Sequence, residues 1–231
     1  KKIIGRIEMY NQAKNKLKDC PLIRIGIFGN TMSYDSYASL KEAIEHAGIE
    51  NKLNTQIMWI DRLFDSNEEI HISEFDGVII GEGSDFVNEK LKIIKLVREA
   101  CIPLLAISYG SDLLVKEFCE NVLKLKFLLP GVEKPFKREL IKNKMYLGGK
   151  QTMLLSGSYI SKIYNSLSVN ERYRLCTWIP NEVFEMFNDS IRVTGLTNEK
   201  YPAVFEITGG EFCLGVKFHP EFNSRPGKPS S

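Results

Sequence analysis

The first half of the chain alternates short apolar runs with amphipathic stretches, and this alternation limits the fold more than any other feature. Residues 22–28, 54–60, 75–80 and 102–107 are apolar runs of strand length. Between them, residues 36–47 place Tyr37, Leu40, Ala43 and Ile44 at three-and-four spacing, with Gly48 as the stop. Residues 86–100 repeat the pattern with Leu91, Ile94, Leu96 and Val97, and a further helix around 113–118 follows the fourth run at once. Residues 2–18 read as a more polar helix. Strands separated by helices cannot close as hairpins. Each helical crossover returns the chain so that the next strand runs parallel to the last, and strands apolar on both sides need cover on both faces. The expectation is an α/β fold, a mostly parallel sheet with helices on both faces.

The second half changes character. Strand-like runs at 145–147, 152–155, 173–178, 191–194, 203–207 and 212–218 are divided by turns, with Thr208-Gly209-Gly210 in hairpin position. This predicts an antiparallel C-terminal extension of the sheet. No repeat or linker interrupts the chain, and 231 residues suit one large domain, so residues 1–231 are read as a single domain. An apolar content of 43% excludes a disordered chain. No apolar run approaches the roughly 18 residues of a membrane span. A net charge of +2 argues against a nucleic-acid partner. The five cysteines are scattered without a CxxC pair, which reads as reduced thiols in a cytoplasmic protein with no metal site. The start, Lys1-Lys2-Ile3-Ile4-Gly5, has neither a Met nor a signal-peptide core, as in a segment of a longer protein.

Chemistry concentrates at two places. The run 102–107 leads straight into Ser108-Tyr109-Gly110 and a helix, the layout of a turn that lifts a nucleophile above a sheet. The competing reading is that Ser108 merely caps the helix. Of three histidines, His46 lies near a helix end, where a cation suits the dipole, and His71 follows acidic residues on a surface. His219 closes an apolar strand and is followed by Pro220 and Glu221. Residues two apart in extended chain face the same way, so Glu221 can orient the His219 ring. Cys101 and Cys213 read as small core residues. Trp59 and Trp178 read as packing aromatics.

Together these segments resemble the glutaminase domain of CTP synthases, within the class I glutamine amidotransferases. The resemblance rests on Arg24-Ile25-Gly26-Ile27-Phe28-Gly29, on residues 35–48, on Trp59-Ile60-Asp61, on Asp76-Gly77-Val78-Ile79-Ile80 and on residues 102–110. Glu171-Arg172 and Gly157-Ser158 match shorter motifs. Val216-Lys217-Phe218-His219-Pro220-Glu221-Phe222 and Ser224-Arg225-Pro226-Gly227 match the C-terminal signature. It implies a flavodoxin-like class I amidotransferase fold. It also implies a catalytic triad of Ser108, His219 and Glu221, with the N–H groups of Gly83 and Tyr109 as oxyanion donors.

The departures bear on function. Where the family has its cysteine nucleophile this chain has Ser108, a hydroxyl that needs a base throughout attack. Asp112 stands at a glutamine-contacting Gln, and Cys176 at an Arg that holds the substrate carboxylate. The oxyanion loop reads Gly81-Glu82-Gly83-Ser84-Asp85, and Asn30 replaces a lysine. Glu82, Ser84, Asp112, Cys176 and Trp178 are accordingly expected to line an altered substrate pocket, in which Cys176 is a minor candidate for a substitute nucleophile. No Gly-x-x-x-x-Gly-Lys-Ser/Thr loop appears, so CTP synthesis by this chain alone is not expected.

Two readings stay open. One is a Ser-His-Glu enzyme performing acyl transfer or amide or ester hydrolysis on an unknown small-molecule substrate other than free glutamine. The other is a pseudo-glutaminase that binds a ligand or partner. Neither calls for a cofactor, a metal, a nucleic acid or a membrane. The resemblance allows a homo-oligomer or a separate synthetase-type partner.

Overall fold

A computed structural model describes residues 2–29, 34–60, 71–125, 139–140, 145–187, 189–209 and 212–230. In chain order the first half holds α1 (Lys2–Asn15), β1 (Leu22–Phe28), α2 (Tyr34–Asn51), β2 (Asn54–Trp59), β3 (Gly77–Ile80), α3 (Val87–Glu99), β4 (Leu104–Ile107) and α4 (Tyr109–Asn121). The second half holds β5 (Glu139–Leu140), β6 (Tyr146–Leu154), α5 (Tyr159–Tyr164), β7 (Ser168–Leu175), β8 (Thr177–Trp178), α6 (Asn181–Glu185), β9 (Ile191–Thr197), β10 (Pro202–Ile207) and β11 (Cys213–Val216).

The main sheet has the order β2-β1-β3-β4-β11-β10-β9-β6-β7. β2, β1, β3, β4 and β11 run parallel, and from β11 outward every neighbour is antiparallel. The expected α/β fold and its antiparallel extension are therefore present. The last strand, β11, returns to the middle beside β4, which the order of runs did not reveal.

Strand alternation divides the core in two. Phe28, Val78, Ile80, Leu104, Ala106, Phe205 and Cys213 face one side with Ile93, Ile94 and Val97 of α3. Ile27, Ile107, Val204, Leu214 and Val216 face the other with Tyr37 and Leu40 of α2. Successive strand residues point to opposite faces, so one apolar run feeds both layers. On α3 the buried set Lys90, Ile93, Ile94 and Val97 forms a helical stripe.

The strand limits shift for local reasons. β3 starts at Gly77 because Ile72–Glu74 forms a 3₁₀ turn and Phe75 ends it. Runs 145–147 and 152–155 are one strand, β6, whose middle is exposed on alternate residues. β7 starts at Ser168 rather than 173 because its inward set, Val169, Glu171, Tyr173 and Leu175, contains a glutamate that breaks the apolar pattern.

Candidate active site

β4 and β11 end side by side. Ile107 pairs with Val216, and the Ser108 N–H donates to the Val216 carbonyl at 2.7 Å. Ser108 then turns the chain into α4 with φ 55° and ψ −114°. A non-glycine residue held at positive φ is strained, and such strain concentrates where a fold positions a functional group. The Ser108 side chain makes no capping hydrogen bond to the helix, so the simple cap reading fails. Gly110 is required here. A β-carbon on it would lie 2.5 Å from the Ile80 carbonyl oxygen and 2.9 Å from that of Gly81. The turn after β4 therefore presses against the loop after β3, at the carboxyl edge where open α/β sheets hold their sites.

His219 lies three residues beyond Val216. Its N–H donates to the Arg172 carbonyl at 2.8 Å, and its ring stacks on Phe222 at 4.7 Å. The ring is fully buried between two carboxylates. Nδ1 is 2.7 Å from Glu221 Oε1, and Nε2 is 3.3 Å from Glu82 Oε2. The Glu82 contact is an ion-pair approach without hydrogen-bond alignment, and Nε2 makes no hydrogen bond. The expected bond between Ser108 and the imidazole is therefore not formed. Burial alone drives the His219 pKa down. The Glu221 hydrogen bond, the close approach of Glu82 and the charges of both carboxylates more than offset this and push it up from 6.5 to about 9.

The oxyanion loop is clamped from beneath. The Glu82 carbonyl accepts from Tyr37 Oη at 2.7 Å and from Lys90 Nζ at 3.1 Å, and the Gly83 carbonyl accepts from Lys90 at 2.7 Å. Lys90 is fully buried. Gly83 has φ +101°, a conformation that suits glycine. Tyr109 opens α4 next to Ser108.

The rest of the expected pocket does not assemble. Asp112 is wholly buried and forms an ion pair at 2.7 Å with Lys217, which is itself 2% exposed. Its carboxylate is turned into the protein because α4 buries that face against β11. Trp178 is a core residue, stacked on Tyr201 at 4.9 Å and edge-on to Tyr146 at 5.3 Å, so it packs rather than lines a site. Ser84 and Cys176 are exposed. Cys213 is buried as expected, whereas Cys101 is exposed in a positive-φ turn. His46 is buried rather than a helix-end cation. Its Nδ1 meets Ser224 Oγ at 3.1 Å, and burial lowers its pKa against the pull of Glu42 and Glu45. Asn30 lies outside the described residues.

Reading the residues in order missed Lys90, Lys217, Tyr37 and Phe222. Lys217 had a signal, a lone lysine inside an apolar run two residues before the histidine. Lys90 had a weaker one, since it shares the apolar stripe of its helix.

The sequence matches the family described as glutamine amidotransferase class-I over residues 32–231. The chain belongs to this family. It is 30% identical to the CTP synthase of Sulfolobus acidocaldarius across 99% of this chain and 46% of that protein. It is 34% identical to the CTP synthase of Methanosarcina barkeri across 90% of this chain and 42% of that protein. This class I amidotransferase domain thus spans less than half the length of the curated relatives it matches. Its fold resembles the Trypanosoma brucei CTP synthase glutaminase domain with bound acivicin, with a TM-score of 0.74 and 22% identity over 90% of this chain and 89% of that one. A Thermotoga maritima glutamine amidotransferase gives a TM-score of 0.58 at 14% identity, covering 86% and 76%. Among the described residues, no helix is long and apolar enough to cross a membrane.

Proposed function

We propose that this CTP synthase-type amidotransferase domain is a pseudo-glutaminase, silenced at its base and retained as a binding domain. One observation carries the reading: the Glu82 carboxylate stands 3.3 Å from His219 Nε2, on the nitrogen that a nucleophile's proton would have to reach. A general base must be unprotonated at the working pH. With its pKa pushed to about 9, His219 is an imidazolium near neutrality. Ser108, whose hydroxyl is inert without a base, then has none. The surroundings fit no better with glutamine. Glu82 repels an α-carboxylate, Asp112 is spent on Lys217, and the exposed thiol of Cys176 offers no cation. The likeness to CTP synthases points to a synthetase-type partner, or a second copy of this chain, for such a domain.

A second reading, Ser-His-Glu acyl chemistry on a substrate without a free α-carboxylate, is favoured by the strained φ of 55° and ψ of −114° at Ser108. Gly83 and Tyr109 would then supply the oxyanion donors, each worth about 2.7–4 kcal/mol in such sites.

Two assays at neutral pH separate the readings: ammonia release from L-glutamine, and labelling by a serine-directed fluorophosphonate. The pseudo-glutaminase reading predicts neither signal, and labelling that emerges in Glu82→Gln as His219 is freed. Robust ammonia release or labelling by the unmodified protein, abolished by Ser108→Ala, overturns it.

A further inference from the structure

A cleft of about 420 Å³ opens between β7, the end of α5 and the C-terminal turn after Asn223. It shares β7 with the Ser108 site, since the Arg172 carbonyl holds the His219 N–H, but Ser108, His219, Glu221 and Glu82 do not line it. Three cations do: Arg172, Arg225 and Lys228. Among the described residues, none of the three has an ion-pair partner. Like charges gathered in one concavity repel unless something negative joins them.

The acid on the cleft wall does not meet that need. Glu171 is 4% exposed, and both its oxygens are occupied. Oε1 accepts from Tyr164 Oη at 2.9 Å, and Oε2 accepts from Asn223 Nδ2 at 2.7 Å. Burial pushes its pKa up to about 7, so near neutrality part of its charge is absent. The wall also holds the buried Ser230 hydroxyl, which sits by Tyr164 without a well-aligned hydrogen bond. A buried polar group so loosely paired is free to turn to a partner from outside. Arginine forks beside a lysine and a loosely held hydroxyl fit the several acceptor oxygens of an oxyanion.

We infer that this cleft binds a polyanionic small molecule, phosphate-borne or carboxylate-borne, between Arg172, Arg225 and Lys228, with the Ser230 hydroxyl as a further donor. The inference does not depend on whether Ser108 is active. It gives the domain a ligand site that the glutaminase resemblance does not supply.

Calorimetric titration of the full chain with inorganic pyrophosphate, and separately with citrate, tests it. At least one anion is expected to bind, and Arg225→Gln and Lys228→Gln are each expected to weaken it by about tenfold. Lys95→Gln, on the exposed side of α3, serves as the charge control and should bind as the unmodified protein does. Pyrophosphate alone would mark a phosphate-borne ligand, and citrate alone a carboxylate-borne one. Either result supports the site. Failure of both anions to bind, or an equal loss in Lys95→Gln, overturns it. Lys228 is exposed, so its variant keeps the test valid if Arg225→Gln misfolds.

Discussion

Asp112 and Lys217 show how a substitution at one residue is absorbed by another far along the chain. A carboxylate at a position that family resemblance assigns to substrate is here neutralised 2.7 Å away by a buried lysine. Removing one member of such a pair leaves an uncompensated charge in the interior. Lys217→Met is therefore expected to cost about 3–5 kcal/mol in denaturant unfolding, and adding Asp112→Leu should recover most of that loss. If the single variant unfolds like the unmodified protein, the pair is not holding the α4–β11 contact. The sequence made Ser108, His219 and Glu221 legible because each sits in a motif with local spacing. It did not show that Asp112 pairs with a residue 105 positions away, or that Glu82 reaches the His219 ring. Both depend on where strands end in space, and local spacing carries no such information.

At the scale of elements, the turn between β4 and α4 sets the site. Its geometry depends on Gly110, whose missing β-carbon lets the turn approach the Ile80 and Gly81 carbonyls. Both neighbours are backbone atoms and cannot swing away. Gly110→Ala should destabilise the domain by about 1–3 kcal/mol, the usual cost of overpacking, measured as a lower denaturant midpoint with an unchanged slope. An unchanged midpoint would mean that the two loops separate freely. The four parallel strands of the first half were readable from their continuous apolar runs and helical spacers. The antiparallel half was readable only in pieces. Glycines and exposed polar residues divide the pattern of β6, and Glu171 occupies an inward position of β7. No local signal marks the return of β11 beside β4, because both are apolar strands that fit a central position equally well.

For the molecule as a whole, Glu171 and His219 are buried groups that hold protons more tightly when folded, within the range from mildly acid to mildly alkaline pH. Glu171 is raised from 4.5 to about 7 and His219 from 6.5 to about 9. For an acid raised in this way the neutral form is favoured in the fold, so stability falls as pH rises from 4.5 through 7. For His219 the contribution is complete below 6.5 and is lost as pH rises through 9, on the order of 3 kcal/mol. His46, whose pKa burial lowers, opposes this trend around its ordinary 6.5, so the test lies on the alkaline side: urea midpoints should fall as pH rises through 9, and His219→Gln should flatten that fall. A stability that rises there would contradict the His219 assignment. The central claim is that His219 is an imidazolium at neutral pH because Glu82 and Glu221 enclose it. With only three histidines in the chain, the direct measurement is a proton NMR titration of the imidazole signals, with His219 assigned by its loss in His219→Gln. The account predicts a His219 midpoint near 9 that moves down in Glu82→Gln. A midpoint at or below the ordinary 6.5, unmoved by Glu82→Gln, would contradict it.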